Sequence, residues 1–171
     1  PERFTPMDIL VVDRSKDGRT VLTGEPHFVG NGAVKTRGSS TKDRDKASYG
    51  FEIQDELGRD RDVTILGFPP DSDFILYGAY DHDRAHLRNA FAYQMSNDIG
   101  RYAVRTRFCE LYLARRGGVV SSAGYRGVYT FMEKVTRNPQ RVDVEQLLPT
   151  HDSEPEIGGG YIIKKDRRDP G

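Results

Sequence analysis

Apolar positions alternate with polar ones in some stretches of this chain and recur every fourth residue in another, and that difference predicts its elements. DILVVD, residues 8 to 13, is a short apolar run closed by the polar turn RSKDGR, the pattern of a strand and its end. In KASYGFEI the positions Ala47, Tyr49, Phe51 and Ile53 share one face and Lys46, Ser48, Gly50 and Glu52 the other. A half-buried strand is predicted there, with Lys46 opposite the apolar residues. DELGRD reads as a turn, VTILGF as another strand, and PPDSD as a break in which Pro69 and Pro70 stop any regular element.

The period then changes. In DHDRAHLRNAFAYQMSNDIG, Leu87, Phe91, Met95 and Ile99 are spaced by four, Ala90 lies beside them, Asp81 or Asp83 stands before them as a cap, and Gly100 follows. The spacing predicts a helix over 83–99. RTRFCELYLARRGG and GYRGVYTFMEKV read as two strands joined by GGVVSSAG in a hairpin. NPQRVDVEQLLPTHDSEPE reads as a connector with a short helical turn around VEQLL, and GGGYIIKKD as a last strand. Strands, one helix and strands again make an α+β fold: an antiparallel or mixed sheet with one main helix on one face. A protein-kinase small lobe has the same layout.

Composition narrows this further. The chain has 171 residues with 26 basic and 26 acidic side chains, long enough for one sizeable core and without the net charge that draws nucleic acid or anionic membranes. No nucleic-acid partner and no membrane span are expected, since the apolar runs are far shorter than a bilayer requires. The mixed-sign runs TKDRDK, GRDRD and KKDRRD read as solvated faces. Cys109, the one cysteine, lies in FCELYL, which points to a buried, inert thiol and rules out a disulfide within the chain. The chain starts at Pro1, and the compartment cannot be read from that end.

Several segments in order carry a resemblance. RGSS at 37 to 40 is followed by KASYGFEI, then LGFPPDSDFILYGAYDHDRAHLRNAFAYQMSNDIGRYAVRTRFCELYL, YRGVYTFMEKV, RVDVEQL and GGYIIKKD. This resembles the CotH family, the spore-coat-protein-H-like atypical kinases, whose members show an RGxSS turn, a Lys and Tyr strand, a D-x-x-x-x-R-N helix, a G-V-Y-x-x-x-E-K strand and a G-G-Y-I strand. One departure matters. The family's W-D-F-D-like segment, expected to hold metal, has no counterpart here, and the sequence contains no Trp. The resemblance therefore implies an N-terminal strand region over 1–36 and, over 37–171, the small-lobe-like part of a kinase domain whose C-terminal half is absent. Such a fragment is expected to be inactive by itself.

The resemblance also implies the chemistry: an atypical protein kinase using ATP with Mg²⁺ or Mn²⁺, phosphorylating Ser or Thr hydroxyls of a coat, surface or secreted protein, and itself located in such a place. Phosphoryl transfer needs a lysine on the phosphates, a carboxylate to hold that lysine, and carboxylates for the metal. Lys46 matches the lysine, set against the plain reading of a solvent-facing side chain. A protein kinase supplies the carboxylate as a Glu on the following helix. No Glu occurs between 83 and 99, so Asp83 or Glu133 is left for that role. Asp83 either caps the helix or caps it and joins the site; Glu133 either ends a strand or meets nucleotide or lysine. Arg37 and Ser39 are placed to donate to phosphate, and Arg88 and Asn89 match the family's R-N pair as further nucleotide contacts. The metal ligands are not identifiable in this sequence.

Two other classes compete. HDRAH, residues 82 to 86, differs from the zinc-protease H-E-x-x-H by one carboxylate, with His82 and His86 as ligands and Asp83 as base, but no third ligand is nearby. The other alternative is a non-catalytic surface module that uses a kinase-like fold to bind protein.

Overall fold

The computed structural model describes residues 4–14, 18–38, 45–80, 83–115, 117–158 and 160–162. Six strands form one sheet: β1 (Thr5–Val11), β2 (Phe28–Arg37), β3 (Ser48–Gln54), β4 (Asp73–Tyr77), β5 (Thr106–Tyr112) and β6 (Tyr125–Glu133). Their order across the sheet is β1-β2-β3-β4-β6-β5, and every neighbouring pair is antiparallel. One helix, α1 (Arg88–Asp98), connects β4 to β5. The fold is α+β with an antiparallel sheet, and the hairpin expected of FCELYL and GVYTFMEKV is formed by β5 and β6.

Alternation along the strands divides the core into two layers. Phe51 and Ile53 of β3, Phe74 of β4 and Phe131 of β6 pack on one face, where Phe131 stacks on Phe74 at 5.2 Å and on Phe68 at 5.1 Å. Ile75 and Met132, one residue along their strands, pack on the other face with Val104 and with Tyr93 of α1. The register pairs Ile75 with Met132 and Phe74 with Glu133, so Glu133 belongs to the aromatic layer.

VTILGF is not a strand. Val63, Ile65 and Phe68 are buried, as the apolar run demands, but they belong to a loop folded over the aromatic layer and closed by the single bridge of Val63 with Asp71. Leu66 and Gly67 take φ of +54° and +79°, which reverses the chain within the run and prevents strand pairing. His27 Nε2 accepts the Leu66 N–H at 2.9 Å and Arg107 donates to the Leu66 carbonyl at 2.8 Å, which pins the loop tip to the sheet.

The helix differs from its pattern in two respects. It begins at Arg88 rather than 83, because His86 sits at φ +58°, in the left-handed region that no right-handed helix can include. Its end is as expected: the Gly100 N–H bonds to the Asn97 carbonyl and the Arg101 N–H to that of Ser96, with Gly100 at φ +77°. The larger surprise is which side faces the sheet. Leu87, Phe91, Met95 and Ile99 are 55%, 66%, 53% and 77% exposed, whereas Asn89, Ala90, Tyr93, Ser96 and Asn97 form the half-buried side. At 100° per residue Tyr93 lies opposite the middle of that apolar stripe, so contact through Tyr93 turns the stripe outward.

The segment VEQLL has no helical turn; a short 3₁₀ turn occurs instead at Glu156–Gly158. Of the predicted strand GGGYIIKKD, residues 160–162 are irregular and 159 and 163–166 lie outside the described residues, while Gly158 ends the 3₁₀ turn.

Candidate functional site

Lys46 lies in a bend two residues before β3, so strand alternation does not govern its side chain. The expectation that it faces away from the aromatic residues is corrected accordingly. Its ammonium donates to the Val128 carbonyl at 2.5 Å and stands 4.6 Å from the centre of the Tyr129 ring, with Tyr49 beside that ring at 6.1 Å. The bend itself is fastened from both neighbouring strands. The Tyr129 hydroxyl donates to the Ala47 carbonyl at 3.0 Å, and the Gly78 N–H donates to Ser48 Oγ at 3.0 Å.

Two glycines leave room for the lysine. A Cβ at Gly78 would come 3.0 Å from Lys46 Cγ, and one at Gly127, where φ is +85°, would come 3.3 Å from Nζ. Among the described residues no carboxylate stands within ion-pair distance of this ammonium. Burial lowers the Lys46 pKa from its ordinary value.

His86 belongs to the same end of the sheet. Burial, then the Lys46 charge, lowers its pKa, while Asp83 acts in the opposite direction. Its Nδ1 is buried without a hydrogen-bond partner among the described residues. Asp83 caps α1 from outside it: the carboxylate accepts the Arg88 N–H at 2.6 Å, across a turn held by the His86 N–H on the Asp83 carbonyl at 2.9 Å. Arg126 lies within electrostatic range of the Tyr129 hydroxyl and lowers its pKa, against the burial that pushes it up to about 12. Lys46 and Arg126 thus bring cationic groups to β6 near residue 128, with the neutral imidazole of His86 and the carboxylate of Asp83 beside them.

Of the other sequence-predicted residues, Arg37 lies opposite Ser48 in the register and Arg88 follows the Asp83 turn. Arg37, at the end of β2, lays its stem over Gly50, where a Cβ would come 3.1 Å from its Cδ. Arg88 is exposed and Asn89 half-buried, at the first two positions of α1. Ser39 and His82 lie outside the described residues.

Glu133 does not meet Lys46. Five residues separate it from Val128 along β6, roughly 16 Å at strand rise. Its side chain is fully buried and accepts from the Arg105 guanidinium at 2.7 Å, the Arg105 N–H at 2.9 Å and the Tyr102 hydroxyl at 3.3 Å. Arg141, with no exposed side-chain surface, lies 3.7 Å from it through Nε and 3.2 Å from Asp71, and donates to the carbonyls of Asp73 and Lys134. Lys134 pairs with Asp73 at 2.6 Å. Sequence reading found neither arginine. Arg105 directly precedes β5 and Arg141 opens RVDVEQL, and neither position by itself marks a buried ion pair.

The rival zinc motif also changes shape. Residues 83–86 form turns before α1, so the helical i, i+4 presentation of two histidines is not formed. No group of three or more His, Cys, Asp or Glu suited to a metal occurs among the described residues. The carboxylates of Asp71, Asp73 and Glu133 already serve Arg141, Lys134 and Arg105. These residues do not fit Mg²⁺ or Mn²⁺.

The family model described as CotH kinase protein matches residues 34–169. The chain belongs to the CotH kinase family. That match takes in β3, β4, α1, β5 and β6 and every residue of the Lys46 end. No curated protein and no solved structure matches the chain. No helix among the described residues is long and apolar enough to cross a membrane.

Proposed function

We propose that this chain supplies the phosphate-anchoring part of an ATP-dependent protein kinase, with Lys46 as the group that meets the phosphates. One observation carries the reading: an ammonium held at the end of the sheet against a carbonyl and a ring, with no carboxylate at ion-pair distance among the described residues. A cation so placed keeps its field for an incoming anion, whereas a paired one has spent it. Arg126 adds to that field, His86 beside it is kept neutral by burial and by the Lys46 charge, and Asp83 is the carboxylate at the same end. Arg37, Ser39, Arg88 and Asn89 are further nucleotide contacts by family resemblance. Glu133 is left out of the proposed site because its carboxylate already holds Arg105.

The reaction served is transfer to a Ser or Thr hydroxyl of a coat, surface or secreted protein. The terminal P–O bond of ATP breaks to release ADP, a P–O bond forms to the hydroxyl oxygen, and the hydroxyl proton leaves. Calorimetric titration of the chain with ATP tests the anchoring role. Lys46→Met is expected to weaken binding about tenfold or more, the loss typical of one charge-assisted contact. Magnesium is expected to add little. Equal affinity in both proteins would remove Lys46 from the site.

A second reading, a protein-binding module without catalysis, is favoured by the outward stripe of Leu87, Phe91, Met95 and Ile99.

A further inference from the structure

We infer that Tyr129 is the positioning residue for Lys46, acting on phosphate only through that lysine; this rests on the anion-binding role proposed above. One side chain makes both decisive contacts. Its hydroxyl holds the Ala47 carbonyl at 3.0 Å, fixing the backbone just after Lys46, and its ring lies 4.6 Å below the ammonium. The ring itself has little freedom: Tyr129 is 2% exposed and leans on Tyr49 at 6.1 Å.

The chemistry of the support suits the task. An aromatic face attracts a cation through its quadrupole, yet it carries no net charge to cancel the cation's field. A carboxylate in the same place would hold Lys46 as firmly and would also neutralise it. The ring therefore orients the ammonium while leaving it electrostatically open to an anion. The space around it agrees, since glycine at 127 and 78 leaves the lysine a channel that a methyl group would narrow. Nothing in a bare G-V-Y sequence would separate this role from an ordinary core tyrosine. The distinction comes from the two contacts made by opposite ends of one side chain.

A core tyrosine and a positioning tyrosine differ in coupling. Inorganic tripolyphosphate serves as the probe, with affinity measured for the chain and for Lys46→Met, Tyr129→Leu, Tyr129→Phe and each Tyr129 change combined with Lys46→Met. Tyr129→Leu removes ring and hydroxyl and is expected to weaken binding about tenfold, close to the effect of Lys46→Met, with no further loss in the double variant. Tyr129→Phe keeps the ring, loses the Ala47 anchor and is expected to cost about threefold, again only when Lys46 is present. Should Tyr129→Leu fail to fold by circular dichroism, the Tyr129→Phe cycle decides. Losses that multiply in the double variants, or a folded Tyr129→Leu that binds like the unaltered chain, would overturn the inference. Undiminished binding by Lys46→Met would instead overturn the anion-binding role beneath it.

Discussion

β6 handles charge in opposite ways at its last residue, Glu133, and near its middle, at Val128. Near Glu133, the cations Arg105, Lys134 and Arg141 meet the carboxylates Asp71, Asp73 and Glu133, and the centre of the cluster is fully buried. Near Val128, an ammonium meets a carbonyl and an aromatic ring. The first arrangement locks the segment after β6 onto β4, since Arg141 bridges the carbonyls of Asp73 and Lys134. The second leaves a cation with donor capacity beside the middle of β6. Burial alone would rank Glu133 as the functional residue; the partners of each group reverse that ranking.

The contrast predicts unequal costs. Glu133→Gln leaves Arg105 and Arg141 without their shared carboxylate, and loss of one member of a buried ion pair typically costs about 3–5 kcal/mol. Denaturant unfolding should show a loss of that size; a change below about 1 kcal/mol would mean the cluster is not the lock described.

Alkaline pH probes both places together. Tyr102, beside Glu133, and Tyr129, beside Lys46, are each pushed up to about 12 by burial first, and Cys109 up to about 11 by burial. A folded-state pKa raised above the ordinary value gives stability that is complete below that ordinary value and lost as pH climbs through the folded one. Lys46 runs the other way, because its pKa is lowered and its contribution grows as pH approaches the ordinary 10.5. These falling contributions, to which Tyr125 adds through its bond to Glu110, outnumber the one that rises and predict net loss of stability between pH 9.0 and about 12. Tyrosine absorbance followed with circular dichroism should show a late ionisation step coincident with unfolding; complete ionisation near pH 10.0 in a folded chain would contradict the burial of both rings.

Lys46→Met should have the smallest effect on stability. Burial already disfavours the charged form, so removing the charge relieves a cost while it forfeits one hydrogen bond and one ring contact. A change within about 1 kcal/mol of zero is expected by thermal unfolding, and a loss as large as that of Glu133→Gln would erase the difference between the two places.

The sequence revealed strands whose side chains alternate and whose ends carry turn residues, hence β1, β3 and the β5–β6 hairpin. It concealed β2, where Gly30 and Gly32 interrupt the apolar alternation, and β4, whose DFILY follows a proline break and reads as part of a longer motif. The helix was visible by period, but its orientation was not. Four apolar residues in a stripe normally mark the buried face, and here the sheet takes Tyr93 instead. At the site, Lys46 stood out only through family resemblance. Its proposed pairing with Glu133 failed on distance, which no residue pattern encodes, and the role of Tyr129 required seeing both of its contacts at once.

Lysine acylation followed by mass spectrometry, with and without ATP and in the absence of divalent metal, compares the two places in one experiment. Lys46 and Lys134 each carry a partly exposed amine, one against a ring and the other paired with Asp73. ATP is predicted to slow modification of Lys46 about tenfold or more, in step with its occupancy, while Lys134 reacts as before. Protection of Lys134 with Lys46 unchanged would place the anion near Glu133 instead of beside Val128 and contradict the account.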